Sequence, residues 1–431
     1  MRRFAGLALS MTLVTAACSL LRSTPTPSAS PSEPASPRPS VAVRTGETTA
    51  LQAMRRLCEE VDVTSPPVAR QPTPPAIAEV ESQVEAVRGL EFEQAVNVEP
   101  VTPEEIDRRL ARYFDVYYPK RAYARRTLAW RTIGAIPSGI GILEAIGRYQ
   151  QGQVLGFYNS QNGELVYTGD EEDLTRVEQF ILAHELTHAI DDQHFDLNRI
   201  DELAQTCDDE RVLAALGAVE GSATHFATAV IFRFVIAENG EIPGGSTPGI
   251  PPLIERLQIY PYESGLTFVD HLSDAGGVAA VNEALRRFPT TTEEILHPEK
   301  YGGDEPTPVD VPDFAPTFGD GWRDLDVMVV GELWLRELLD TRLIRSDAEA
   351  AAAGWDGGIY RAWTDGKDVV VILSTSWDTA VEAGGFRGAL TDWIGKLTDR
   401  TFVEGHDTVV NAGFATSEDL MPAVESAVRS M

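Results

Sequence analysis

The chain has 431 residues and a formal net charge of −30, with a sequence pI of about 4.6. A surface this acidic repels nucleic-acid phosphates and anionic lipid headgroups, so neither is an expected binding partner. The length is enough for roughly two or three domains with substantial hydrophobic cores.

The N-terminus has the pattern of a bacterial export signal. Two arginines at positions 2 and 3 precede residues 4–17, which are apolar or small and too few to span a bilayer. Cys18 follows Thr15-Ala16-Ala17 and resembles the lipid-modified cysteine of a bacterial lipoprotein, although such signals prefer Leu where Thr15 stands. We therefore expect residues 1–18 to be a lipoprotein-type signal peptide and Cys18 to anchor the exported, extracytoplasmic chain to the cell membrane. Ordinary secretory cleavage is the alternative.

Residues 19–47 follow as a predicted disordered tether. Within them, residues 23–40 are rich in Ser, Pro and Thr and nearly free of large apolar side chains, so they cannot build a core. A tether of this kind would hold a folded domain away from a membrane surface. No later stretch is expected to be long and apolar enough to span a membrane.

Two cysteines remain beyond Cys18, namely Cys58 and Cys207. Because an exported chain meets an oxidising environment, an even residual number favours one disulfide between them. Two buried free thiols are the alternative.

We predict an α+β fold that is mainly helical. Residues 48–150 form a helical region, in which Thr102-Pro103-Glu104-Glu105 has the pattern of a capped helix start. Residues 153–170 have the pattern of a β-hairpin that turns at Asn162-Gly163. The other predicted elements are helices over about 173–195, 210–238, 278–287, 328–345, 378–398 and 417–430, and strands over 368–377 and 401–414. They divide the rest of the chain into a core over residues 151–345 and a small C-terminal α+β subdomain over residues 346–431.

The predicted helix 173–195 carries an H-E-x-x-H motif within the stretch ILAHELTHAIDDQHF. His184 and His188 lie one turn apart on its apolar face, so both imidazoles can bind one cation, and two nitrogens at this spacing suit Zn²⁺. Glu185 lies beside that face, where it can act as general base on a water that the metal acidifies. The alternative is that the motif occurs by chance and the histidines are structural.

A catalytic zinc needs a third protein ligand and an open position. His194 gives the HExxHxxxxxH spacing of metzincins, but Asp191 stands where those proteins have a chain-turning glycine, and no Met-turn is evident downstream. Glu220 is favoured instead, because a glutamate inside the apolar predicted helix 210–238 is costly unless it faces a cation. Pairing of Glu220 with a nearby arginine is the alternative.

Other residues are candidates for supporting roles. His297 and Tyr301, in a His-Pro-Glu-Lys-Tyr turn, could hydrogen-bond an oxyanion opposite the base, although a plain surface turn is the alternative. The predicted strand at 164–168 could be an edge along which an extended peptide binds. Asp191 or Asp192 could orient His188 by accepting a hydrogen bond from its second ring nitrogen, and Asp191 is favoured because it lies one helical turn beyond His188.

Several segments together carry a family resemblance, namely the export signal, GFYNSQNGELVYTGD, AHELTHAIDDQHFDL, AVEGSAT and TEEILHPEKY. They resemble a poorly characterised family of bacterial exported HExxH proteins, which is similar in arrangement to glutamate zincins (gluzincins). The likeness covers residues 150–345 well and the remainder loosely. It implies a zincin-like core in which a short antiparallel sheet packs on the HExxH helix, with His184, His188 and Glu220 as zinc ligands and Glu185 as base.

The sequence therefore predicts a membrane-tethered zinc metallopeptidase with Zn²⁺ as cofactor and a peptide or protein as substrate. The main alternative is a zincin-like envelope protein that binds or scaffolds partners without turnover. A metal-dependent hydrolase of another amide, such as a cell-wall peptide, is a third hypothesis. Whether residues 48–150 act as a propeptide-like cover of the cleft is left open.

Overall fold

The computed structural model describes residues 47–59, 65, 68, 73–117, 119–151, 154–169, 174–235, 248–303 and 305–431. The predicted signal peptide with Cys18, and all but the last residue of the predicted tether, lie outside the described residues. Over the described ranges the fold is α+β and mainly helical, as predicted, with one three-stranded and one five-stranded sheet.

Helices dominate the first two thirds of the described chain and alternate with strands in the last third. The helices are α1 (Thr49–Leu57), α2 (Pro75–Arg88), α3 (Pro103–Tyr117), α4 (Lys120–Ile133), α5 (Ile142–Gln150), α6 (Arg176–Phe195), α7 (Arg199–Ala204), α8 (Asp209–Phe234), α9 (Pro252–Arg286), α10 (Thr292–Leu296), α11 (Ala315–Phe318), α12 (Glu332–Asp340), α13 (Arg345–Ala352), α14 (Ala380–Ile394) and α15 (Met421–Arg429). The strands are β1 (Asn97–Pro100), β2 (Gly156–Asn159), β3 (Glu164–Tyr167), β4 (Arg323–Val329), β5 (Trp355–Thr364), β6 (Val369–Trp377), β7 (Thr401–His406) and β8 (Val409–Ala415).

The predicted hairpin and the motif helix after it are both present. β2 and β3 pair antiparallel, and Gly163 in the turn has a φ of 70°, which glycine adopts without strain. α6 begins after Thr175, whose hydroxyl accepts a hydrogen bond from the Glu178 N–H while the Glu178 carboxylate accepts one from the Thr175 N–H. This capping box fixes the start of α6 and therefore the position of its histidines.

The small sheet has the strand order β1-β3-β2, which makes β3 its central strand. β1 pairs with β3 in parallel, although it lies far earlier in the chain. The prediction that residues 164–168 form a peptide-binding edge is therefore wrong, because both sides of β3 are already paired. Among the described residues, β1 and β2 are the two outer strands of this sheet, and β2 pairs with β3 on one of its sides.

One apolar core joins this sheet to the helices that carry the motif. Buried side chains from α2, β3, α6 and the second half of α8 pack together there, including Val80, Leu165, Leu186 and Val230. α8 is long and apolar enough by composition to cross a membrane, contrary to the sequence expectation, but 67% of that stretch is buried inside the fold. Its composition is that of a core helix.

α8 and α9 cross where glycines face each other. A Cβ added to Gly221 would lie 2.2 Å from the carbonyl oxygen of Gly265, and one added to Gly265 would lie 2.2 Å from that of Gly217. No side chain fits at such distances, so the glycines allow the two backbones to approach. Because Glu220 directly precedes Gly221, this crossing also determines where the Glu220 side chain lies.

The five-stranded sheet has the order β4-β5-β6-β8-β7 and is antiparallel throughout. β4 and β5 were not predicted, and the helix predicted over 328–345 begins only at α12. The strand predicted over 401–414 is in fact two strands, β7 and β8. Because β4 pairs with β5, the sheet extends across the predicted boundary at residue 346.

Helices from the predicted N-terminal region cover both faces of this sheet. α4 and α5 pack with α12 and α14 on one face, through side chains such as Trp130 and Trp334. α1 packs with α15 on the other face, where Met54 and Val424 are buried. Residues 48–150 are thus integrated with the C-terminal sheet.

Cys58 and Cys207 form the predicted disulfide, with their Cα atoms 5.7 Å apart. The bond joins the end of α1 to the loop before α8. Its partners are 149 residues apart in sequence, so it strongly restricts the unfolded chain.

Candidate metal site

Helices α6 and α8 present three ligand-type side chains to one point. His184 and His188 lie one turn apart on α6, and Glu220 reaches them from α8. The Glu220 Oε2 atom is 3.1 Å from the His184 Nε2 atom and 3.4 Å from the His188 Nε2 atom, and the two Nε2 atoms are 3.1 Å apart. These three residues, called here the metal cluster, could bind a metal ion.

His194, the alternative third ligand, is bound elsewhere. Its Nε2 atom lies 2.8 Å from the main-chain carbonyl oxygen of Glu91. α6 continues to Phe195 without a break, so ten further residues carry His194 about 15 Å along the helix axis from His184. A continuing helix cannot turn this imidazole back to the metal cluster.

Burial and opposite charges together set the ionisation of the metal cluster. Burial opposes the charged form of His188, but the Glu220 carboxylate outweighs it and raises the His188 pKa to about 9. Burial also opposes the ionised form of Glu220, yet His188 and His184 hold the Glu220 pKa well below its usual value. Among the contacts of the described residues, Glu220 pairs with these imidazoles and not with an arginine, which disfavours the alternative weighed from the sequence.

Glu185 lies beside the metal cluster and underneath β2. Burial raises the pKa of Glu185, while His184 and His188, and more weakly the main-chain N–H of Tyr158, oppose that rise. A Cβ on Gly156 would lie 2.7 Å from the Ile181 Cγ2 atom and 3.4 Å from the Glu185 Cγ atom. Glycine at position 156 therefore allows β2 to pack directly on the motif helix.

Asp191 is held by groups other than His188. Its Oδ1 atom accepts from Arg88 Nε at 2.7 Å, and its Oδ2 atom accepts from Ser222 Oγ at 2.7 Å. The fully buried Arg88 also donates through Nη1 to Asn282 Oδ1 at 2.6 Å. This network, one turn beyond His188, ties α2, α6, α8 and α9 together and fixes the histidine helix against the glutamate helix.

The structure does not bring His297 or Tyr301 to the metal cluster. The His297 Nε2 atom lies 3.0 Å from the Oε1 atom of Glu332, a buried residue at the start of α12. The Tyr301 hydroxyl donates to the main-chain carbonyl oxygen of Arg287 at 2.6 Å. Among the described contacts neither side chain touches a member of the metal cluster, and their catalytic role stays a prediction from the sequence.

Two aromatic residues that the sequence analysis missed flank the metal cluster. Tyr262, on α9, stacks against the His184 ring with centroids 6.1 Å apart and is 41% exposed. Phe180, on α6, has its ring centroid 6.4 Å from that of His184. The first half of α9 was not predicted as a helix, so no local pattern pointed to Tyr262. Tyr262 thus places a partly exposed ring directly beside the metal cluster.

Comparisons with known proteins match a different part of the chain. Residues 322–421 match the family model of a domain of unknown function, DUF8575, which covers the five-stranded sheet and none of the metal cluster. No curated protein matches the chain.

One solved structure is also similar to part of the chain. It comes from Chloroflexus aurantiacus, is described as "a putative hydrolase with a novel fold", and aligns at 17% identity and a TM-score of 0.34 over 58% of this chain and 95% of its own. A TM-score of this size does not establish a common fold. What this site can do is therefore argued from its own geometry.

Proposed function

We propose that this chain is an exported zinc metallopeptidase of the gluzincin type, tethered to the membrane through a lipid on Cys18, that cleaves peptide bonds in extracytoplasmic peptides or proteins. The observation that carries the proposal is the convergence of His184, His188 and Glu220 from two neighbouring helices, with Glu185 beside them. The order of these residues and the short sheet over the motif helix are also features of the family that the sequence resembles.

The separations of the ligand atoms fit zinc. In a tetrahedral site with bonds of about 2.0–2.1 Å, neighbouring ligand atoms lie about 3.3 Å apart. The three separations in the metal cluster are 3.1, 3.1 and 3.4 Å. Two imidazoles and one carboxylate are also a ligand set of catalytic zinc, whereas calcium and magnesium prefer oxygen ligands. His184, His188 and Glu220 would therefore hold Zn²⁺.

Glu185 is the proposed general base. Bound zinc would polarise a substrate carbonyl and acidify a water. The Glu185 carboxylate is next in sequence to His184 and would take up the proton and pass it to the leaving amine. Burial raises the pKa of Glu185, while the two imidazoles and the Tyr158 N–H favour its ionised form, an opposition typical of catalytic carboxylates.

The free side of β2 is the proposed site for the substrate main chain. Thr168 donates to the Leu155 carbonyl oxygen at 2.7 Å, and pairing alternates along antiparallel strands. The N–H and C=O groups of Gly156 and Tyr158 therefore point away from β3. An extended peptide could add to this side by main-chain hydrogen bonds and lie beside the metal cluster. The role predicted for residues 164–168 thus passes to residues 156–159.

Tyr262 replaces His297 and Tyr301 as the proposed oxyanion-stabilising residue. Its ring stacks on His184 and is partly exposed, so the side chain lies directly beside the metal cluster. A phenol hydroxyl can donate to a developing oxyanion and remains neutral at physiological pH.

Metal analysis and a peptide-cleavage assay test the proposal together. The purified chain should carry about one zinc, and Glu185→Gln should keep that zinc but lose hydrolysis of a mixed peptide library. Glu220→Ala should lose the metal, whereas the matched variant His194→Ala should retain it. The proposal fails if wild type cleaves no peptide in the library, and a zinc-bound but inactive wild type would favour the envelope-scaffold alternative.

The membrane anchor is tested separately in cells. Wild type should incorporate a labelled fatty acid and fractionate with membranes, and Cys18→Ser should do neither. Label that persists in Cys18→Ser would contradict the proposed site of lipidation.

A further inference from the structure

Strand β2 lies on the motif helix at two points. A Cβ on Gly156 would lie 3.4 Å from the Glu185 Cγ atom, and the Tyr158 hydroxyl donates to the Oδ2 atom of Asp192 at 2.8 Å. Glu185 and Asp192 lie two helical turns apart on α6, so the contacts are well separated along the helix. We propose that Tyr158 is the positioning residue of the general base, because its hydroxyl fixes β2 on α6 and so keeps the strand packed over Glu185.

This inference rests on the proposed function, because it concerns how the proposed base is held. The strand register shows what else depends on this position. Tyr158 is opposite Leu165 and, by the alternation along the hairpin, its N–H and C=O groups point away from β3. These groups lie on the side of β2 that is proposed to bind the substrate main chain, so the Tyr158 hydroxyl bond also fixes that side of the strand relative to α6.

The Asp192 carboxylate, which accepts the bond from the Tyr158 hydroxyl, has a second hydrogen-bond partner. Asp192 Oδ1 accepts the Leu197 N–H at 2.8 Å, so one carboxylate joins the strand to the segment that follows the end of α6. Tyr158 is half-buried, and hydrogen bonds to ionised groups are about twice as strong as neutral ones. The strand therefore cannot shift along α6 without breaking this bond.

Gly156 makes the contact surface continuous. Since a Cβ at position 156 would collide with Ile181 Cγ2, the strand lies directly on the helix at this end. Two residues further, on the same face of the strand, Tyr158 reaches Asp192. Close packing at the Gly156 end and a hydrogen bond at the Tyr158 end thus set the position of β2 above Glu185.

The test compares Tyr158→Phe, which removes the hydroxyl and keeps the ring, with wild type. A misplaced base should lower kcat roughly ten- to hundredfold while KM changes by less than about threefold. Zinc content and the visible spectrum of the cobalt-substituted protein should stay as in wild type, because the metal cluster keeps its ligands. The matched control is Tyr360→Phe, which removes another buried Tyr–Asp hydrogen bond, to Asp326, in the five-stranded sheet.

A double-mutant cycle tests whether the hydroxyl acts through Asp192. Asp192→Ala should lower kcat, and adding Tyr158→Phe to it should cause little further loss. Asp192→Asn keeps hydrogen-bonding atoms at this position and should retain more activity than Asp192→Ala. Full additivity of the two substitutions would overturn the assignment.

Amide hydrogen exchange gives a readout without metal or turnover. In metal-free protein, a peptide covering 154–169 should exchange faster in Tyr158→Phe than in wild type or in Tyr360→Phe. Unchanged kcat and unchanged exchange in Tyr158→Phe would overturn the inference, and so would an equal loss of kcat in Tyr360→Phe. After either result, the proposed function would still stand if wild type is active and Glu185→Gln is inactive. An inactive wild type would instead contradict both the proposed function and this inference.

Discussion

Replacing Arg88 by methionine should show how far the metal cluster depends on the N-terminal region. Arg88 comes from α2, is completely buried, and pairs at 2.7 Å with Asp191, which lies one turn beyond His188. Methionine keeps most of the apolar stem of arginine but leaves the Asp191 carboxylate buried with Ser222 as its remaining partner. The substitution therefore isolates the charge pair.

The expected loss of stability follows from the contacts. Removing one partner of a buried ion pair costs about 3–5 kcal/mol. Arg88 also loses its bond to Asn282 and its contact over the Phe226 ring at 4.6 Å, each about 1 kcal/mol. Relaxation of the neighbouring side chains and access of water to Asp191 would relieve part of this, so we expect the free energy of unfolding to fall by about 4 kcal/mol. At 2–4 °C per kcal/mol, Tm should fall by roughly 8–16 °C.

Urea unfolding followed by circular dichroism, with Tm from a thermal scan, measures the effect. Arg88→Met/Asp191→Leu removes both charges and should recover part of the loss, because an uncompensated buried charge no longer remains. The control is Arg108→Met, whose side chain is 69% exposed and whose pair with Glu105 is screened by solvent, so this substitution should leave the stability close to that of wild type. If Arg88→Met stays within about 1 kcal/mol of wild type, the reasoning from this buried network is wrong.

Three other substitutions test neighbouring parts of the fold and site. Gly265→Ala places a Cβ 2.2 Å from the Gly217 carbonyl oxygen, so the free energy of unfolding should fall by more than about 2 kcal/mol and the zinc affinity should weaken. The control is Gly388→Ala, whose Cβ meets no atom within 4 Å and which should be neutral or stabilising. Tyr262→Phe should keep zinc and lower kcat roughly a hundredfold, and unchanged kcat would contradict the oxyanion role. Burial raises the Glu210 pKa from 4.5 to about 8, against hydrogen bonds from Thr292 and with added repulsion from Asp208 and Glu332. The folded state therefore holds this proton more tightly than the unfolded state, so the free energy of unfolding should decline as pH rises from about 5 to about 8. Glu210→Gln should remove that decline in urea titrations across the same pH range. An equal decline in the variant would contradict the assignment.

The metal cluster was predictable because each of its signals is local. The spacing of His184 and His188 places both imidazoles on one helix face, and a glutamate inside the apolar run of α8 requires a positive partner. Neither argument needs the fold. Which side of α8 meets α6 is then decided by the same apolar periodicity that buries both helices.

The errors concern pairings that join distant segments. β3 was taken for an edge because its parallel partner β1 lies far earlier in the chain, and hairpin patterns carry no information about such a partner. The partner of His297 was likewise not predictable, because the buried Glu332 belongs to another helix. The first half of α9 was missed because Pro261 and Gly265 interrupt its helical pattern, although both are accommodated where α9 packs on α8.

Residues 48–150 are best understood as part of the structural core and not as a removable propeptide. α2 supplies the arginine that neutralises Asp191, and β1 fills one side of β3. α4 and α5 cover one face of the five-stranded sheet, and the Cys58–Cys207 disulfide joins α1 to the loop before α8. Proteolytic loss of this region would therefore expose both cores and leave a buried carboxylate beside the metal cluster without its cation. Cleavage there should inactivate the chain, and a truncated form that gained activity would contradict this account.

Three carboxylates on α6 and α8, of which Asp191 and Glu210 are buried and Glu220 is partly buried, show how the same physical problem receives different solutions. Asp191 is neutralised by Arg88, and Glu210, with its pKa raised to about 8, keeps a proton at neutral pH. Within the described contacts, Glu220 has no arginine beside it, and its partners are two imidazoles that hold its pKa low, so that it does not keep a proton at neutral pH. An ionised carboxylate in an apolar core needs a positive charge beside it, and two histidine nitrogens can supply one only by binding a proton or by sharing a cation with it. The separations of 3.1–3.4 Å fit a shared zinc ion, and for this reason Glu220 is the residue on which the proposed function depends most.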